Sequence, residues 1–258
     1  MITAPLSTRA VLWRQIRFQN VTFWRTPVAA FFTLALPVMF LVLFILFFGD
    51  QDVNGVPSSQ FFTPAIAVFA AVSATFTNLA IGTSLSRDQG ILKRVRGTPL
   101  PAWVYMAGRI GSGVWIATIS IALMFSIGWL LYDFQIVWGN LAIAVLVFIV
   151  GMATFSTLGL AICALVKNGE SVPVVVQAVI LPLAFISGIF IPTDDAPAWL
   201  KTLGDIFPLK HFVELFSDAF NPFYSGPVLG WDSLGIMIAW FALGLLITTR
   251  FFTWDPRG

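Results

Sequence analysis

Six long apolar runs, parted by short polar or proline-rich breaks, dominate the chain: residues 28–48, 61–85, 104–132, 138–166, 172–191 and 234–252. Each approaches or exceeds the ~20 residues an α-helix needs to cross a hydrocarbon core. The third and fourth runs are longer than a perpendicular crossing requires, which predicts tilt or a break, with Gly128, Gly139 and Gly151 as soft points. Pro182, inside the fifth run, removes a backbone donor near Ala178 and predicts a kink.

Three segments between or before the runs have patterns of their own. Over residues 8–25, a 100° wheel gathers Leu12, Ile16 and Phe23 on one side and Arg14, Arg17 and Arg25 on the other, with Trp13 and Trp24 between. That predicts an amphipathic helix within residues 1–27, lying in the headgroup layer, although Gln19 and Val21 interrupt its faces. Pro27 separates it from the first span. A plain basic tail next to the first span is the simpler alternative. Residues 86–101 place Lys93, Arg94 and Arg96 beside a small apolar face of Ile91, Leu92 and Val95, closed by Gly97, Pro99 and Pro101. A loop that only sets topology needs the cations but not the apolar stripe, so a short, rigidly held helix is predicted. Beyond the fifth run, Pro192, Pro197 and Pro208 cut residues 192–231 into apolar pieces too short to span. They predict short helices that dip into the interface and turn back, covered by protein or a watery cavity.

Composition agrees. Of 258 residues 58% are hydrophobic and 10% charged, against ~25% charged in soluble domains. The whole chain, 1–258, therefore reads as one membrane domain, an all-α integral membrane protein with six transmembrane helices. Twelve of the fourteen Lys and Arg residues fall on one side of this topology: Arg9, Arg14, Arg17, Arg25, Arg87, Lys93, Arg94, Arg96, Arg109, Lys167, Arg250 and Arg257. Only Lys201 and Lys210 fall on the other, with Asp50, Asp52, Asp133, Asp194, Asp195, Asp205, Glu214, Asp218 and Asp232. The positive-inside rule then places both termini in the cytoplasm. The first run continues past signal-peptide length and reads as a retained span. The single cysteine, Cys163, excludes an intrachain disulfide.

Catalytic patterns are missing from the sequence. There is no phosphate loop, no zinc-protease helix motif and no nucleophile elbow. His211 is the only imidazole; with Lys210 and Glu214 it reads as polar trim on the outer segment. The span interiors lack the ionisable groups that ion-coupled carriers use, with Arg109 near a span end where it can snorkel. Energy for any transport has to come from elsewhere. The interior polar residues are neutral, and helix–helix hydrogen bonding accounts for most of them. Asn78 and Gln177 are the costliest to leave unpaired.

Three stretches in order, GTPLPAWVYMAGRI, FISGIFIP…FPLKHFVE and WDSLGIMIAWFALGLLITTRFFTWDPR, resemble the permeases of ABC type 2 exporters, in particular the daunorubicin-resistance-like drug exporter permeases of bacteria. The resemblance covers nearly the whole chain. It implies a multi-pass protein of the bacterial inner membrane with no ATPase and no cofactor of its own. Two ABC ATPase subunits would bind ATP and Mg, and a second permease copy or a sister permease would complete the pathway. By the same resemblance, Arg87, Asp88, Ile91, Lys93, Arg94 and Arg96 belong to a coupling helix seated on the ATPase, with Lys167 and Glu170 as a smaller contact. Residues 191–212 become outer re-entrant helices. Spans two and five face the dimer axis, making Phe69, Ser73, Phe76, Thr77, Gln177, Leu181 and Phe185 candidates for the substrate pathway. The expected cargo is a small hydrophobic or amphipathic compound, a drug or a lipid. Polysaccharide or lipid-linked glycan export and a membrane scaffold without transport are the alternatives; nothing points to nucleic acid.

Overall fold

The computed structural model describes residues 7–49, 51–53, 55–192 and 196–255. Asp50, Asp194, Asp195 and Arg257 of the charge count lie outside them, as do residues 1–6 of the predicted 1–27 segment and 193–195 of the predicted 192–231 segment. The chain folds as a helix α1 (Thr8–Trp24), then a first span α2 (Phe31–Phe48) led in by Pro27–Ala30. A two-residue hairpin, β1 (Asp52–Val53) and β2 (Val56–Pro57), precedes the second span α3 (Ser58–Asp88). The short helix α4 (Ile91–Arg96) leads to spans α5 (Ala102–Leu131), α6 (Trp138–Leu165) and α7 (Gly169–Ile186). Helices α8 (Ala198–Ile206) and α9 (Pro208–Phe220) come before the sixth span, α10 (Trp231–Phe251). Among the described residues, six helices long and apolar enough to cross a bilayer make this a multi-pass membrane protein.

The predicted spans hold, with shifted ends. The second span is six residues longer than its apolar run because both polar ends find partners inside the protein: Gln60 at its start and Arg87 at its finish are buried. The fifth ends early, at Ile186, because Gly188 (φ 77) turns the chain and folds Ile189 and Phe190 back into the core. Gly139 lies in the 3-10 turn Trp138–Asn140 that opens α6, but Gly128, Gly151 and Pro182 do not break their helices. α5 runs unbroken through Gly128, α6 through Gly151, and α7 through Pro182. Within the first two spans α-helical geometry is interrupted by a π turn, at Phe31–Ala35 and Ser73–Thr77, which no pattern in the sequence foretold. Asn78 Nδ2 joins the two by donating to Thr33 Oγ1 at 3.2 Å.

α3 is the central helix, packed against α2, α5, α6 and α9. Lipid tails are as apolar as leucine, so membrane helices associate through close packing and polar contacts. Here the close packing is glycine-based. Gly159 of α6 lies against the Phe76 backbone of α3, where a Cβ would sit 2.6 Å from the Phe76 carbonyl oxygen. Gly244 lets α10 approach Thr157 and Leu158 of α6, and Gly113 of α5 faces the Ala74 carbonyl of α3. Hydroxyls add cross-links: Thr154 Oγ1 donates to the Met237 carbonyl at 3.1 Å and Thr248 Oγ1 to that of Thr157 at 3.3 Å.

Both described chain ends lie at one end of the bundle, with α1 and α4. The Trp254 and Tyr105 rings are 6.3 Å apart there, and Arg96 reaches Asp255. This is the basic end. Leu12 and Ile16 half-bury against α5, and Phe23 is buried, while Arg14, Arg17, Arg25, Trp13 and Trp24 are exposed, as the wheel predicts. Polar residues of α1 also face inward: Gln15 packs on Gly108, and Asn20 accepts from Ser112 Oγ at 3.1 Å.

Candidate functional site

Two surfaces of the bundle carry the candidate residues. The first is the platform at the basic end. Gly90, in a left-handed conformation (φ 68), turns the chain from α3 into α4, whose Leu92 is fully buried and plugs the helix into the bundle. Ile91, Lys93, Arg94 and Arg96 remain exposed. Lys167 and Glu170, from the loop between α6 and α7, are exposed as well. Arg87, unlike the other residues assigned to ATPase coupling, is withdrawn from the surface, while Asp88 beside it stays partly exposed. The Arg87 side chain is 0% exposed and Asp88 is one-third exposed. Arg87 Nη1 donates to the Cys163 carbonyl at 2.7 Å, and Nη2 to those of Val166 and Lys167, both at 2.9 Å. Asp88 accepts from Arg87 Nε at 3.2 Å and from the Gly169 N–H at 2.7 Å. Nearby, Arg109 Nη1 donates to Ser86 Oγ and Tyr105 Oη, both at 3.0 Å, and Gly82 leaves room for its guanidinium.

The second surface is the outward face of α7. Gln177, Leu181 and Phe185, at i, i+4 and i+8, are all exposed on it, with Val174, Ala178 and Pro182 forming a shallow groove alongside. The Gln177 amide has no hydrogen-bond partner among the described residues. Other exposed hydroxyls in the spans are satisfied locally: Thr118 Oγ1 donates to the Val114 carbonyl at 2.9 Å and Ser126 Oγ to that of Ala122 at 2.7 Å. An unpartnered amide within a span is costly against lipid.

Residues 7–221 match the family described as ABC-2 type transporter. The chain belongs to this family. The daunorubicin resistance ABC transporter permease protein DrrB1 of Streptomyces coeruleorubidus is 29% identical over 214 residues, 81% of this chain and 73% of the relative. The inner membrane transport permease YadH of Escherichia coli (strain K12) is 22% identical over 221 residues, covering 83% and 85%. The putative transport permease YvfS of Bacillus subtilis (strain 168) is 25% identical over 212 residues, covering 80% and 84%.

The remaining pathway candidates of this ABC-2 chain separate in space. Phe69 is buried beside Phe40 and Phe190, with ring centroids 6.4 and 5.2 Å away, and Phe185 meets Phe190 at 5.3 Å. Phe190 thus joins span two to span five. Its own residue type carries no signal of this role, although the Ser-Gly before Ile189 marks the turn that folds it back. Ser73 and Thr77 lie half-buried in the π turn of α3. Phe76 goes elsewhere: it is buried and meets Phe155 of α6 edge-on at 6.4 Å, facing the core rather than any open surface.

At the opposite, acidic end, α9 is packed into the bundle. Phe212 is fully buried over Gly151, where a Cβ would lie 2.6–2.8 Å from its ring. The Lys210–His211–Glu214 group is more than polar trim. Lys210 and His211 are 8% and 7% exposed. Lys210 Nζ pairs with Asp205 of α8 and lies 3.7 Å from Glu214, while His211 Nε2 meets the Asp205 carbonyl at 2.8 Å and Nδ1 meets Ser233 Oγ at 3.0 Å. These contacts fasten α8, α9 and α10 together.

One turn on, burial pushes the Asp218 carboxyl up to about 6, helped by the Glu214 charge; burial also raises Glu214, against the pull of Lys210. Asp218 lies outside the six spans. With an ordinary value of ~3.9 in the unfolded chain, the folded chain binds the extra proton between these values, so this group's contribution to stability falls as pH rises from about 4 to 6. Asp218→Asn is therefore expected to raise the unfolding midpoint in detergent at pH 7 and to leave it nearly unchanged at pH 4. An equal shift at both pH values in thermal unfolding scans would refute this.

Proposed function

We propose that this chain is the transmembrane permease subunit of an ATP-driven exporter, working with two ABC ATPase subunits and a second permease. ATP and magnesium are bound by the ATPase, not by this chain. The observation that carries the reading is α4: a short helix plugged in by Leu92, presenting Lys93, Arg94 and Arg96 outward at the basic end. An isolated scaffold has no use for such a stiff, charged projection. Span interiors free of ionisable groups fit an energy source outside the bilayer. The count of basic residues supports a cytoplasmic position for this end and both termini, and the naming of YadH as an inner membrane transport permease supports the bacterial inner membrane. α8 and α9 then lie at the outer side as the cap of the pathway.

The α7 face is the side on which the second permease, identical or sister, closes the pathway. Gln177 needs water or a partner there, and the surrounding Val174, Leu181, Pro182 and Phe185 suit apolar or amphipathic cargo. DrrB1 is named for daunorubicin resistance, which supports the same cargo class. The test is to purify the chain with its co-expressed ATPase, reconstitute it in vesicles and measure ATP hydrolysis. Stimulation by amphipathic drugs or lipids is the expected result. Stimulation by lipid-linked glycans alone would transfer the chain to glycan export. A folded permease that binds no ATPase would overturn the reading.

A further inference from the structure

We propose that Arg87 and Asp88 are positioning residues that clasp α4 and the α6–α7 loop into one rigid platform, so that spans two, four and five are driven together. The proposal rests on the reading of α4 as the ATPase contact.

The geometry of the clasp is specific. A helix leaves its last carbonyls without intrahelical donors, and the macrodipole makes that end negative. Span four ends at Leu165, and the carbonyls of Cys163, Val166 and Lys167 all converge on the Arg87 guanidinium, at 2.7, 2.9 and 2.9 Å. Ser84 Oγ takes a further contact from Nη2 at 3.3 Å, and Nε is held by Asp88. The second Asp88 oxygen accepts the Gly169 N–H at 2.7 Å, where span five begins. Gly169 is buried against this carboxylate, and a Cβ there would run into it. Two adjacent residues of span two therefore hold the end of span four and the start of span five.

The same two residues stand at the base of α4. Only Gln89 and Gly90 intervene, and backbone bonds carry through the turn: Gln89 N–H to the Leu85 carbonyl at 3.0 Å, Gly90 to Arg87 at 2.9 Å and Arg94 to Gly90 at 3.1 Å. α4 has little freedom to tilt without moving Arg87. The exposed charges of α4 and those of Lys167 and Glu170, some seventy positions apart in sequence, are thereby fixed relative to each other. An arginine serving topology alone would extend its charge to the headgroups. This one is fully buried and spends its planar fork on three carbonyls and a carboxylate. Lysine, a point charge on a flexible stem, cannot reproduce that fork.

The test is Arg87→Lys in the full transporter, with export and ATP hydrolysis measured separately in vesicles. The ATPase is expected to co-purify as before and to hydrolyse ATP, while export per ATP falls about tenfold, within the usual range of a coupling free energy. A second readout uses the permease alone, with Cys163→Ser and spin labels at Thr98 and Asn168. Pulsed EPR should give one narrow distance with Arg87 and a broad distribution with Arg87→Lys. Unchanged export per ATP together with an unchanged distance distribution overturns the clasp. Should Arg87→Lys fail to fold, Asp88→Asn, which keeps an acceptor for Gly169 and weakens the pair with Arg87, should broaden the same distance; a narrow distance there also overturns it. If the wild-type chain binds no ATPase but the label distances behave as stated, the transport reading fails and the clasp stands.

Discussion

Export is expected to fall to background when Arg94 and Arg96 are both replaced by glutamate, while the permease remains folded in the membrane at its usual level. Both side chains are exposed, and the only ion pair either makes among the described residues, Arg96 with Asp255 at 3.8 Å, is two-thirds solvent on one side and more than half on the other. Exposed pairs of this kind contribute ~0–1 kcal/mol, so the bundle loses little. An ATPase groove that accepts α4 meets two reversed charges, and like-charge juxtaposition costs several kcal/mol. Co-purified ATPase should drop at least about tenfold, in line with such a penalty. The checks are pull-down of the ATPase, size-exclusion behaviour of the permease and export from vesicles. Normal export with the double replacement would sink the docking role of α4. Alanine at both positions should be milder, since it removes attraction without adding repulsion.

Gly159→Leu is expected to prevent assembly of the bundle, and Gly159→Ala to destabilise it by about 1–3 kcal/mol, the usual cost of overpacking. The first atom added at Gly159 meets the carbonyl oxygen and Cα of Phe76, at 2.6 and 3.1 Å, and backbone cannot swing aside as a flexible side chain can. Spans two and four would have to part along the seam that also buries Phe76 and Phe155. Gly235→Ala in α10 is the matched control: nothing lies within 4 Å of an added Cβ, so the change should be neutral or slightly stabilising through helix propensity. Thermal unfolding in detergent separates these outcomes. A Gly159→Ala chain as stable as Gly235→Ala would mean that the two spans do not meet this closely.

Much of this architecture is readable from residue order, because in lipid the number and length of apolar runs decide the spans. The basic helix α4 is readable too, since the apolar stripe beside Lys93, Arg94 and Arg96 marks a helix with one face to bury. The division of labour within the loop is not. Nothing in SRDQGILKRVR tells Arg87 from Arg94; only the chain ends of spans four and five, some seventy residues later, make one of them internal. Helical spacing groups Phe69 with Phe76, but the intervening π turn and a third packing partner, span four, send Phe76 inward. His211 and Lys210 look superficial in sequence because they are themselves polar and stand one turn from Glu214. Their burial depends on α8 and α10 closing around them. The π turns themselves have no signature in composition.

Gln60 has a further consequence for how the chain is made. Its amide accepts from the Gln135 N–H at 3.0 Å and donates to the Gln135 and Phe220 carbonyls, at 3.1 and 2.5 Å. Phe220 lies 160 residues downstream, so at ~5–20 residues per second its partner leaves the ribosome roughly ten to thirty seconds after Gln60 does. During that interval the second helix, the future centre of the molecule, has its tie to Gln135 within reach but not the one to Phe220. Insertion and completion are thus separate events for this protein, and the last of its lateral ties is made only when the segment before the final span has been synthesised.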